Sequence, residues 1–336
     1  MKGLTTKPVG IEEFQKYINN LYGEANNKRS LEYLYSYLFR NAAYLSRVIG
    51  EKGESKVNFI KTFSWLFSIT SKLNIDLENS FRHKYPNICP YCLVKPCICI
   101  KTGKKPIAYI PEWKASEEIE VKYNIDRTMT PQLSLDKAVE TINDLYPANK
   151  HIWNAAGPTF QFYRILEELG EVHEAYTSYQ RGDRKKENIE EELADVFAWL
   201  VSTWGICYPE LSLADEFIGY YYEGCPVCTS TKCKCPDHND RGERLVEIKQ
   251  LTEFKNKIEE LINIKPEYKE SLGSVINSLD TVVETKSTAG AVRTVNQTKA
   301  ILQDISKSLG AVDKSANSTN SIIKATLEMI KLFGWM

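Results

Sequence analysis

The sequence predicts an all-α chain. Apolar residues recur at helical spacing along most of it, two long segments carry mirrored acidic pairs, and one helical unit occurs twice. At 336 residues the chain has room for two or three domains, and a hydrophobic content of 43% is ample for buried cores. A net charge of −1 argues for neither nucleic acid nor an anionic membrane as a partner. The N-terminus, MKGLTTKPVGIEEF, has no apolar signal-type stretch, and no apolar run approaches the ~20 residues of a membrane span. A cytoplasmic location is therefore expected.

The first element, residues 1–99, is one copy of the repeat. Its Ile18-Asn-Asn-Leu-Tyr22 returns as Ile142-Asn-Asp-Leu-Tyr146, and its Phe63-Ser-Trp-Leu66 as Phe197-Ala-Trp-Leu200. Each copy is expected to run through a first helix, two core helices, a shorter helix and a cysteine knot. The knot of the first copy is Cys89, Cys92, Cys97 and Cys99, and that of the second is Cys225, Cys228, Cys233 and Cys235. Both follow the spacing C-x2-C-x4-C-x-C. Four thiols this close suit tetrahedral zinc, and disulfides across such short spacings are strained. Two structural zinc sites are expected, with an iron–sulfur cluster or disulfides as the alternatives. Cys207, among Trp204, Ile206 and Tyr208, is expected to be a buried apolar residue.

Residues 100–134 form a connector. The stretch is punctuated by proline and shows no helical period, and its IAYI and IEVKYNI pieces suit a small hairpin. Residues 135–235 are the second copy, which carries the acids. Glu168 and Glu171 lie on one segment, and Glu192 and Asp195 on the next, with the turn signal Gly182-Asp183 between. Folding the segments antiparallel at ~1.5 Å per residue sets Glu168 opposite Asp195 and Glu171 opposite Glu192. Each acid interrupts an apolar stripe built from Ile165, Val172, Ile189 and Val196. Buried carboxylates without partners are costly, so four of them facing one another call for a hard cation such as Mg²⁺. The alternative is a solvated acidic face.

The pattern Glu167-Glu168-x-x-Glu171 followed by Glu192-x-x-Asp195 resembles the EExxE…ExxD signature of MazG-like nucleotide pyrophosphohydrolases. The resemblance in its active form covers about residues 135–235. It implies an all-α fold and a Mg²⁺-dependent cleavage of nucleoside triphosphates into monophosphate and pyrophosphate. It implies Glu168, Glu171, Glu192 and Asp195 as metal ligands, with Glu167 orienting the attacking water. Domains of that family generally pair through their helices, so the tandem copies are expected to form a pseudo-dimer with one live and one degenerate half. Aligning the copies sets Arg40 and Ala43 where Glu168 and Glu171 stand. It sets Asn58 and Lys61 where Glu192 and Asp195 stand. Family members often carry a Lys-Tyr pair before the knot; the first copy has Lys84-Tyr85, whereas the second has Tyr220-Tyr221-Tyr222.

Four further residues are candidates for binding substrate. Arg82 and Lys84 of the degenerate half are placed to reach across to phosphates, or else form a solvated basic surface. Trp153 precedes the first acidic helix and suits either base stacking or core packing. Arg164 lies one turn before Glu168. The cations at the turn, Arg181, Arg184, Lys185 and Lys186, lie roughly 15 Å along the axis from Glu171 and read as a solvated loop. His173 is rotated away from the acids.

Residues 243–336 are expected to be a helical assembly or partner module. Apolar stripes run through Ile248–Leu261, Leu272–Val283, Val295–Leu309 and Ile322–Ile330, with Pro266 closing the first. The apolar end, Met329–Met336, suits docking on a partner or a second subunit. The functional expectation is a nucleotide pyrophosphohydrolase serving nucleotide-pool cleaning, or nucleotide depletion under a partner's control. The alternatives are a non-enzymatic zinc-stabilised scaffold and a nucleic-acid-binding protein. The knots carry few cations beyond Lys95, Lys232 and Lys234, which disfavours the last.

Overall fold

The computed structural model describes residues 8–222, 224–235, 248–285, 298 and 301. Among these residues the secondary structure is helical throughout, with no strand. The helices in order are α1 (Ile11–Asn27), α2 (Leu31–Gly50), α3 (Lys56–Lys72), α4 (Leu77–Lys84), α5 (Cys99–Thr102), α6 (Glu112–Met129) and α7 (Leu135–Leu145). They continue with α8 (Ala148–Ala156), α9 (Thr159–Arg181), α10 (Lys186–Cys207), α11 (Leu213–Tyr220), α12 (Ile248–Ile264) and α13 (Lys269–Thr285). The chain divides into two compact units, Thr5–Ile218 and a second beginning at Gly219.

In the first unit, the helix ends are set by local chemistry. Ser30, Asp76, Ser134 and Ser212 each accept a backbone N–H three residues on, satisfying donors that a helix start leaves open. Gly182 ends α9 at φ +81°, where a Cβ would be strained, and Asp183 N–H closes back on Ser178 at 2.9 Å.

Helices α3 and α10 form the centre. Their sequences FSWLFSIT and DVFAWLVSTW hold almost no charge after the first turns, so they can be buried on nearly every side. Their hydroxyls bond back to carbonyls of the same helix, as Ser64 does to Ile60 at 2.7 Å and Thr203 to Trp199 at 2.7 Å. Phe63 and Phe197 meet edge-on at 5.7 Å where the two helices touch. Around this point the contacts are reciprocal. Helix α1 packs on α3 as α7 packs on α10, and α2 lies against α3 as α9 lies against α10. Helix α4 crosses to α10 through Phe81 on Phe197 at 5.1 Å. The start of α11 crosses to α3 through Phe217 on Phe67 at 5.9 Å, with Lys56 on Glu216 at 3.6 Å. The second half has one additional helix, α8, between its first and second helices.

The connector departs from the hairpin expectation: its second part is the eighteen-residue helix α6. Tertiary docking overrides the weak local signal. Tyr123 is buried against α4, with its ring 5.1 Å from His83 and its hydroxyl 2.5 Å from Asn79 Oδ1. Arg82 reaches from α4 to Asp126 Oδ2 at 2.9 Å and to the carbonyls of Asp126 and Thr130, at the C-terminal end of α6.

In the second unit α12 packs on α13, with Phe254, Ile258, Leu261, Leu272, Val275 and Leu279 buried. Lys255 bridges to Asp280 at 2.6 Å. Helix α12 stops just before Pro266, as its sequence requires. The stripes from Val295 and Ile322 onward, and the Met329–Met336 end, lie outside the described residues.

Candidate functional site

The antiparallel pair α9–α10 brings the acids together at the levels their spacing sets. Glu168, Glu171 and Glu192 each offer an oxygen within 4.8 Å of the others. Of these Glu168 is buried, Glu192 half-buried and Glu171 exposed, so the four acids are not all buried as their place in apolar stripes suggests. Asp195 is buried, and both its oxygens are engaged: Oδ1 accepts a short hydrogen bond from the Tyr85 hydroxyl, and Oδ2 lies 2.9 Å from Lys84 Nζ. The quartet is thus three converging carboxylates and a fourth held by residues of α4 and its cap. Arg164 and Trp199 face each other at the next level, the guanidinium 5.5 Å from the ring centre. Both donate to Glu168 Oε1, Arg164 at 2.9 Å and Trp199 Nε1 at 3.2 Å. Arg164 also pairs with Glu167, whose side chain is half in solvent.

Crowding and burial are visible in the acidities. Burial lifts Glu168 to about 7, with Asp195 and Glu171 adding to the rise and Arg164 and Trp199 opposing it. Glu192 is also lifted to about 7, by burial first, with Lys84 opposing and Asp195 and Glu171 reinforcing. Burial alone would lower Lys84, but Asp195, Glu191 and Glu192 outweigh it and the net shift is upward. Carboxyls raised this far hold part of their protons near neutrality. The three oxygens could hold a metal ion, and an all-oxygen donor set is the kind that hard cations take.

The candidate substrate residues divide. Lys84 is at the acids, and Arg164 is on the same helix face. Trp153 is half-buried on α8, which packs against α9. Arg82 is not at the site. Its side chain is 3% exposed and engaged by Glu78, Asp126 and two carbonyls, because two positions along α4 from Lys84, a rotation of ~200°, turn it toward α6 and the chain before α7. The turn cations are occupied locally, Arg181 with Asp183 and Arg184 with Glu174. His173 faces Tyr35 of α2 and not the acids.

The first half differs by one residue from the sequence alignment. The buried stripe Leu38, Asn41, Ala42, Leu45 of α2 matches Ile165, Glu168, Leu169, Val172 of α9. Tyr37 stacks on Trp65 as Arg164 covers Trp199. Asn41 and Tyr44, not Arg40 and Ala43, therefore hold the places of Glu168 and Glu171. Asn41 donates to the Tyr37 carbonyl at 2.8 Å, a neutral bond in place of a carboxylate.

Each cysteine set gathers four thiols within 4.8 Å of one another. Tetrahedral zinc with ~2.3 Å bonds places its sulfurs ~3.8 Å apart. The observed separations are 3.5 Å for Cys89–Cys99, 4.0 Å for Cys92–Cys97 and 3.9 Å for Cys225–Cys235, far outside disulfide range. The two knots share their backbone. Leu93 and Thr229 take the same left-handed turn after the second cysteine, at φ +58° and +52°. Their amides return to the first cysteine's carbonyl at 2.9 and 2.8 Å. Each set could hold a metal. Cys207, by contrast, is half-buried and its thiol is raised to about 12 by burial.

Four residues around the acids were not singled out by sequence reasoning. Trp199 lies inside the repeated Phe-x-Trp-Leu word and beside Asp195 on α10, but its bond to Glu168 cannot be read from the sequence. Tyr146 donates to Cys89 Sγ at 3.8 Å. Tyr91, in the first knot, is half-exposed, and its hydroxyl is raised by burial first, with Lys84 opposing and Asp195 and Glu168 adding. Gln161 lies on the same face of α9 as Glu168. It is fully buried, and neither carboxamide atom has a partner among the described residues. No described helix is long and apolar enough to cross a membrane. The chain matches no family model, no curated protein and no solved structure.

Proposed function

We propose that the chain is a Mg²⁺-dependent nucleoside triphosphate pyrophosphohydrolase of the MazG-like kind, built as an intramolecular pseudo-dimer with one live half. The supporting observation is the convergence of Glu168, Glu171 and Glu192 on one point beside an Asp195 that is held by Lys84 and Tyr85. Reciprocal packing about Phe63 and Phe197 supports the pseudo-dimer. Glu168, Glu171, Glu192 and Asp195 hold the magnesium, which when bound neutralises phosphate oxygens and lowers the pKa of its water. Lys84 keeps its ammonium charged beside Asp195 and offers it to a phosphate oxygen. Glu167 stands at the open edge of the acids, braced by Arg164, where it orients water and accepts its proton. Trp153 offers a ring to the base. The four thiols of each knot hold zinc structurally, and the helices from residue 243 serve assembly or a partner.

Incubation with a panel of canonical and modified nucleoside triphosphates plus Mg²⁺ tests this reading. The expected products are a monophosphate and pyrophosphate, and both vanish in Glu192→Gln while the helical circular dichroism stays. Release of orthophosphate alone, or equal turnover by the variant, rejects it.

A further inference from the structure

The first cysteine knot belongs to the degenerate half in sequence but is docked on the live half in space. Cys97 N–H donates to the Leu145 carbonyl at 2.8 Å, at the last turn of α7. Cys89, Cys92 and Leu145 form one buried cluster, with Tyr85, Val94, Ile98 and Tyr146 packed on it. Lys95 reaches Asp144 at 3.4 Å. From this cluster a chain of contacts leads to the acids. The Tyr146 hydroxyl donates to Cys89 Sγ at 3.8 Å, and its ring meets that of Tyr85 edge-on at 6.1 Å. The Tyr85 hydroxyl then donates to Asp195 Oδ1.

We propose that the first knot is a positioning element of the carboxylate site: its four thiols, closed on a metal, fix Tyr146 and Tyr85 and so set the orientation of Asp195. The inference rests on the reading of Glu168, Glu171, Glu192 and Asp195 as a divalent-cation site.

The physical reason is that Phe81 anchors α4 on one side of Tyr85, whereas the chain that follows Tyr85 has no helix to order it. Tyr85 follows the last residue of an eight-residue helix, and the chain from there to Cys99 contains no further helix. Its order must come from cross-links, and four thiols on one ion supply them. A carboxylate that ligates a metal depends on the groups that orient it, and losing such a partner costs ~10–100-fold in metal affinity. Tyr85 is therefore a positioning residue for Asp195, and the knot acts on the site through it. The protein thereby becomes dependent on two different metals in series: a thiophilic ion in the knot, then an oxygen-seeking ion at the acids.

The test measures Mn²⁺ binding by calorimetry, with Mn²⁺ standing in for Mg²⁺, on full-length protein with its zinc content assayed. Three variants are compared: Cys97→Ser with Cys99→Ser, Tyr85→Phe, and Tyr146→Phe. The cysteine pair opens the knot, and the two tyrosine changes keep the rings and the fold while cutting one hydrogen bond each. Expected are unchanged helical circular dichroism and Mn²⁺ affinity lower by about tenfold in the cysteine pair. Both tyrosine variants should weaken binding in the same direction, and Tyr146→Phe should keep its full zinc content. Wild-type Mn²⁺ affinity in the cysteine pair, or in both tyrosine variants, overturns the coupling. Failure of the unaltered protein to bind Mn²⁺ would instead reject the carboxylate reading itself. If the cysteine pair unfolds, the tyrosine variants decide.

Discussion

Glu168→Gln should make the magnesium-free protein more stable, at the expense of its metal site. The Glu168 side chain is 5% exposed and burial lifts its carboxyl from 4.5 to about 7. The folded pKa therefore lies above the unfolded one. Below pH 4.5 the group is protonated in both states and contributes nothing. Between 4.5 and 7 the unfolded chain ionises first, and the folded state loses relative stability as pH rises. Above 7 the full penalty applies, about 3 kcal/mol for a shift of this size. Glutamine removes the charge and keeps an oxygen for Trp199 Nε1 and Arg164, whose own charge stays paired with Glu167. Urea unfolding in magnesium-free buffer should then show the variant about 3 kcal/mol more stable at pH 8 and less than about 1 kcal/mol more stable at pH 5. Adding Mg²⁺ should stabilise the natural protein, because binding to the folded state alone shifts the equilibrium, and should do little for the variant. A variant less stable than the natural protein at pH 8, or a gap independent of pH, would refute the claim that crowded buried charge dominates this site.

Lys84→Met removes the cation that opposes the rise of Glu192, so that carboxyl should hold its proton to higher pH. The acid limb of the activity profile, read from initial rates across pH, should move up by roughly one unit. Arg82→Leu strands Glu78 and Asp126 without their buried partner. A loss of about 3–5 kcal/mol in urea unfolding is expected, and a change under about 1 kcal/mol would show that α6 docks by other means. Gln161→Leu replaces a buried carboxamide that has no partner among the described residues with the residue its counterpart Leu34 already provides. It should gain about 1–3 kcal/mol in the same assay. A loss of stability would show that the carboxamide is satisfied in solution.

Legibility differed by kind of information. The acids, their pairing and the turn between them were readable because an antiparallel helical hairpin maps sequence symmetry directly onto space. The knots were readable because four donors within eleven residues can close on one centre without help from the fold. The register of α2 against α9 was misread by one residue, since both alignments keep apolar residues roughly in step. Only the burial of Asn41 and the Tyr37–Trp65 stack decide between them. The connector's helix is not legible because α6 has a single buried residue, Tyr123, and so shows no amphipathic stripe. Its helix is held by Arg82 and Asn79, some forty residues away. Arg82 is neither the phosphate ligand nor the solvated cation its sequence suggests, because a sequence shows charge but not direction.

The sequence by itself determined the helical class, the thiol sets and the facing carboxylates of α9 and α10. These are local or periodic properties, carried by neighbours on one helix face or within one loop. The sequence suggested that Arg82 or Lys84 of the first half reaches across; only the tertiary structure decided that it is Lys84, with Tyr85, that meets Asp195 of the second, and that the first knot stands behind them. Those contacts join residues more than fifty positions apart, and they exist because α4 crosses to seat Phe81 on Phe197. The burial of one aromatic pair in the shared core carries the cation and the hydroxyl to Asp195.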